Sequence, residues 1–159
     1  MKKVTFLVVM LAFFANISMA QNKERVNAFN YNKNAQSYIT TAEQLMVQNR
    51  VDKAQKQMAN AKIELTRAKT SIDLAAENEE TKNDAKTWHY YGVIYLKIAT
   101  YPEFNDIDTD ALSKCADAFR KLVELDETYF KNNYGEIITY IQSITTNYFN
   151  QGALAYEAG

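Results

Sequence analysis

Turn-forming residues are scarce in this chain: 159 residues hold four glycines and one proline, too few for the tight turns of a many-stranded fold. Ala, Lys, Gln, Asn and Glu fill much of the rest, so the composition predicts an all-helical protein. An excess of one charge is missing too. Lys and Arg number 18 against 19 Asp and Glu, a net charge of -1, which removes the electrostatic reason to expect nucleic acid or an anionic membrane surface as partner. Cysteine is reduced to Cys115, so no intramolecular disulfide can form and the fold must rest on buried apolar surface. Cys115 itself reads as a small buried hydrophobe. There is no glycine-rich phosphate loop, no paired cysteine and no HExxH, and His89 is the sole histidine. A histidine with no second nitrogen or thiol ligand, and no serine at recognisable spacing, reads as a packing or surface residue. A non-catalytic protein without a cofactor is expected.

The start departs from the rest. Met1-Lys2-Lys3 is basic, Val4 to Phe14 is a nearly unbroken apolar run, and Ser18-Met19-Ala20 places small residues at the positions a signal peptidase reads. The run is shorter than the ~20 residues a membrane span needs. Residues 1-20 are therefore expected to be a signal peptide, with no stable membrane span after its cleavage and a periplasmic or extracellular destination.

From Ala28, apolar or small residues recur at 28, 31, 35, 38, 42 and 45, steps of three and four that bury one helical face. The phase breaks at Gln48-Asn49-Arg50 and resumes at 51, 54, 58, 61, 65, 68, 72 and 75. This break marks either a helix-helix turn or a stutter in one long coiled coil; the alanine-rich stripes favour the hairpin, assigned to 21-78. Residues 78 to 83 read as a loop before a third helix over about 84 to 100, which Pro102 ends. The segment 101-110 is irregular, with Thr109 or Asp108 capping a fourth helix along Leu112, Cys115, Phe119 and Leu122, and Thr128 capping a fifth.

Within this frame, Trp88-x2-Tyr91-Gly92-x2-Tyr95 followed by Cys115, Phe119 and Leu122 resembles the tetratricopeptide repeat, a helix-turn-helix unit of about 34 residues. The turn is roughly eleven residues longer than usual for that family, and Glu127 stands where the family commonly has proline. A partial second copy, Tyr148 to Tyr156, aligns when Gly152 is set on Gly92. The resemblance implies antiparallel hairpins stacked as a right-handed solenoid, with about five helices after the signal peptide. On this division 79-127 is one unit and 128-159 a long helix beginning a further, incomplete one. Since repeats bury their faces on neighbours, the chain is expected to be the N-terminal piece of a longer protein.

The resemblance also implies a concave groove lined by first-helix side chains, here Lys86, His89, Tyr90, Val93 and Lys97, then Phe149, Asn150, Ala153 and Tyr156. The family's carboxylate-clamping subset has Lys and Asn at the places of His89 and Val93, and both are absent. A groove of Tyr, Phe, His and Val suits a protein or peptide segment with aromatic or aliphatic anchors, and packing against the extended helices is an equal reading of those aromatics. The expected function is an interaction scaffold in the bacterial cell envelope. The alternatives are a module binding a glycan or peptidoglycan fragment on the tyrosine-rich face, and an enzyme whose catalytic part lies beyond Gly159. Asp106, Asp108 and Asp110 alternate like the first ligands of a calcium loop, but Ala111 replaces its glycine. Acidic residues at a helix start are expected from the dipole alone, so no metal is assigned.

Overall fold

The computed structural model describes the backbone of residues 2–158 and the side chains of 23–150, 152–154 and 156. The expected signal peptide, 1-20, lies outside the residues whose side chains are described. The described residues are helical throughout apart from short connections: α1 Lys2–Val47, α2 Val51–Glu77, α3 Ala85–Thr100, a 3-10 turn Pro102–Phe104, α4 Ala111–Leu125, α5 Glu127–Asn132 and α6 Tyr134–Ala158. None of the described helices is long and apolar enough to cross a membrane.

The phase break at 48–50 is a hairpin. Asn49 takes a left-handed backbone (φ 56°), the Asn49 N–H donates to Met46 O, and the Arg50 N–H reaches back to Leu45 O at 2.9 Å. This is the doubled bond pattern that closes a helix without glycine, because asparagine tolerates the left-handed region. Ala28, Ala35, Ile39 and Ala42 of α1 and Ala54, Ala61, Leu65, Ala68, Ile72 and Ala75 of α2 are all at most 1% exposed. Small residues on both stripes let the two backbones approach closely.

α3 starts where Asp84 accepts the Lys86 N–H, and Pro102 opens the 3-10 turn that carries Phe104 into the α1–α2 hairpin beside Ile39 and Leu65. The connection between α3 and α4 is thus tied down by burial of one ring. Two caps differ from expectation. Asp110 occupies the cap position of α4, because Asp108 turns its carboxylate to the Asp110 N–H and to Lys114 and Lys69. Asp126, not Thr128, caps the next helix by accepting the Tyr129 N–H at 2.8 Å. The expected long final helix is divided as well: Asn133 caps α5 through its backbone N–H and its amide, both bonded to Tyr129 O, and α6 starts anew.

The eight residues from Trp88 to Tyr95 divide by face. Tyr95 is buried and stacks on Tyr91 (4.3 Å, 8°); Trp88 donates to Lys82 O and lies under the Lys121 ammonium, 3.9 Å from its ring. Gly92 is where α4 comes nearest. A Cβ added there would stand 2.7 Å from the Phe119 ring, and the Cys115 thiol donates to Gly92 O. Phe119 cannot swing aside freely, since it is 2% exposed and stacked on Tyr140 at 5.7 Å. Gly92→Ala is therefore expected to lose about 1 kcal/mol net, an overpacking cost of 1–3 kcal/mol partly offset by about 1 kcal/mol of helix propensity. Gly135→Ala, where an added Cβ meets nothing within 4 Å, is expected to gain stability by about 0.5–1 kcal/mol. Urea unfolding of both variants checks the opposite signs, and Phe119→Leu should relieve the Gly92→Ala loss.

Candidate functional site: a groove across parallel helices

Three contacts tie α1 to α3. Arg25 pairs with Asp84, Asn32 accepts from the Lys97 ammonium at 2.7 Å, and Glu43 accepts from the Tyr101 hydroxyl at 3.0 Å. Residue numbers rise together on both sides, so the two helices run parallel, with α2 and α4 behind them. α5 and α6 close the other side: His89 Nδ1 meets the Tyr129 hydroxyl at 2.9 Å, and the Tyr140 ring lies 6.0 Å from the imidazole.

Between these walls runs a groove of two adjoining hollows, about 690 and 500 Å³. Gln36, Val93, Lys97 and Tyr140 line both, so Lys97 stands at the waist. All five candidates on α3, namely Lys86, His89, Tyr90, Val93 and Lys97, line the first hollow. The second set is not brought to it. Phe149 and Tyr156 are 75% and 89% exposed, Asn150 and Ala153 are exposed, and the groove's lining stops at Asn147.

Sequence reasoning missed the wall from α1 (Phe29, Asn32, Lys33, Gln36) and that from α5 and α6 (Tyr129, Asn133, Glu136, Tyr140). The first had a signal. Residues 29, 32, 33 and 36 repeat at helical spacing beside the buried stripe of α1 and make the neighbouring face. The second had none, because the division at Asn133 sets which residues of the last helices turn inward.

Burial sets the electrostatics. His89 is 5% exposed, and burial lowers its pKa below the usual 6.5; Glu136 opposes that shift and Lys86 adds to it. Burial likewise pushes Lys97 down to about 8. Keeping that ammonium charged at neutral pH costs on the order of 3 kcal/mol of stability. Phe29 and Tyr90, both lining the first hollow, are in ring contact with centroids 5.3 Å apart. Thr87, inside α3, has a buried hydroxyl with no hydrogen-bond partner among the described residues; it lies in the core and not in the groove.

A third hollow of about 630 Å³, separate from the groove, lies at the hairpin end, lined mainly by Ala42, Met46, Ala54, Met58, Ala59 and Tyr101. The aspartate run does not assemble a site. Asp106 is held by Lys62 at 2.6 Å, Asp108 by Lys114 and Lys69, and Asp110 contributes its N–H to Asp108. Burial works to raise the Asp108 pKa, but the Lys114 bond, the Asp110 N–H and the two lysine charges hold it below the usual carboxylate value. Among the described residues no group of three His, Cys, Asp or Glu is placed to hold a metal ion. Cys115 is buried and its thiol is raised to about 12, which keeps it protonated and unreactive.

No family model matches the chain, and no curated protein or solved structure matches it.

Two titrations test this electrostatic picture. His89 has a folded pKa below its unfolded one, so the unfolded state binds more protons and stability falls as pH drops below about 6.5. A thermal midpoint that declines between pH 7 and 5, and a His89→Phe variant with a flatter profile there, is the expected result. Lys97→Met should melt several degrees higher than the parent at pH 7. That advantage shrinks as pH rises from about 8 towards the unfolded value of 10.5, where the parent no longer holds a buried charge.

Proposed function

We propose that this chain is an exported helical-hairpin repeat protein of tetratricopeptide type, acting as a non-catalytic scaffold in the bacterial cell envelope that holds a partner segment in the groove across α3. The observation that carries it is the form of the groove: open along its length and continuous, not a closed cavity. Lys86 to Thr100 covers about 21 Å of helix axis, the length of roughly six residues of extended chain. Small-molecule sites instead enclose most of a ligand's surface.

The repeat assignment is supported by the order of packing. α1 packs on α2, α2 on α3, α3 on α4 and α4 on α6, so each helix finds its partner near in sequence, as stacked hairpins do. The close contact of Gly92 with Phe119 is the packing that the tetratricopeptide-like motif would require. Export rests on the basic start, the apolar run Val4 to Phe14 and Ser18-Met19-Ala20.

The runner-up is a glycan or peptidoglycan-fragment module, and Phe29 beside Tyr90 is what favours it, since the exposed Phe29 ring next to the half-buried Tyr90 offers a platform for a sugar face. In-cell photocrosslinking separates the two. With a benzophenone residue at Gln36 or Tyr90, one discrete protein adduct is expected, absent when the probe stands at Ser113 on the outward side of α4. Equal adducts from all three positions, or none, would remove the scaffold reading.

A further inference from the structure

Resting on that reading of the groove, we propose that the seat made by Lys97 and Asn32 receives a carboxylate of an acidic partner segment, with Lys33 and Lys86 meeting further acidic side chains of the same segment. The argument is charge complementarity. Lys33, Lys86 and Lys97 all line the first hollow, and among the described residues none of the three has a carboxylate within ion-pair distance. Five other described lysines, Lys62, Lys69, Lys82, Lys114 and Lys131, each hold a carboxylate, whereas these three converge unpaired on one hollow. The sole acid lining that hollow, Glu136, is exposed and accepts from the Tyr140 hydroxyl at 2.7 Å. His89 is neutral, so three ammonium groups face one carboxylate.

The far hollow sets the direction. Thr100, Thr139, Ser143 and Thr146 each donate their hydroxyl hydrogen to the carbonyl four residues back on their own helix. Their oxygens therefore present lone pairs to the groove. Beyond Lys97, these four oxygens accept hydrogen bonds from backbone or side-chain N–H groups and offer a carboxylate no proton. An incoming segment places its acids over the lysines and its uncharged polar stretch over the threonines, with an aromatic or aliphatic side chain at Phe29 and Tyr90. Lys97, half-buried with an asparagine carbonyl as its one polar partner among the described residues, is the position where an anion gains most, because the desolvation cost of the ammonium is already met in the free protein. Binding a carboxylate there draws the lysine pKa back up, so complex formation at pH 8 takes up protons.

The test is selection of a displayed library of random twelve-residue peptides on the immobilised full chain. Expected is enrichment of Asp and Glu, disappearing when selection is repeated on Lys97→Met. For one enriched peptide, replacing its acids by Asn and Gln should weaken binding tenfold or more. Calorimetry at pH 8 in two buffers of different ionisation enthalpy should show proton uptake that Lys97→Met removes. Enriched aromatic peptides without acids, or amide versions that bind equally well, would overturn this inference and leave the docking groove standing. No enrichment over blank support would overturn both.

Discussion

Phe119 holds the groove together. Its ring lies against Gly92 on α3, stacks on Tyr140 of α6 and stands 6.3 Å from the imidazole of His89, so one side chain from the rear layer fixes the spacing of two front helices. Only the missing Cβ at residue 92 permits that depth. A wider separation of α3 and α4 would move Tyr140 and loosen the Tyr129 bond to His89, and the wall opposite α1 would move with them. The groove's shape is thus determined by a contact behind it.

Much of this was readable beforehand, for a physical reason. Alanine stripes at steps of three and four, a lone proline and the spacing of Trp88, Tyr91, Gly92 and Tyr95 are local signals, and local signals survive folding: the turn at 48–50 and the span of α3 emerged where expected, whereas α1 begins at Lys2 and not after residue 20. Caps were less legible, because Asp108, Thr109 and Asp110 compete for one role and Asp108 is drawn off by Lys114 and by Lys69, the latter distant in sequence. The α3 candidates share a face by helical geometry alone. By contrast, Phe149, Asn150, Ala153 and Tyr156 were placed by aligning Gly152 on Gly92, and Gly152 has no counterpart of Phe119 against it among the described residues. The α1 wall needed a long-range fact, the parallel register of α1 and α3, which periodicity does not contain.

The polar groups fall into two populations. Asp73, Asp108, Lys69, Lys114 and the Tyr95 hydroxyl satisfy one another between α2, α4 and the long turn, and this cluster reads as structure. The groove's lysines are left without such compensation. A fold under selection for stability alone would replace Lys97 with an apolar residue of similar size. Its retention beside Asn32 is the kind of local conflict between stability and neighbourhood that marks functional surfaces.

The burial of Cys115 supplies the protein with a natural reporter. The thiol is the only one in the chain, lies between α3 and α4, and bonds to the carbonyl of the glycine on which their approach depends. A thiol reagent can reach it only when those helices part, so its labelling rate in unmodified protein counts the opening events of that hairpin and distinguishes local breathing from global unfolding.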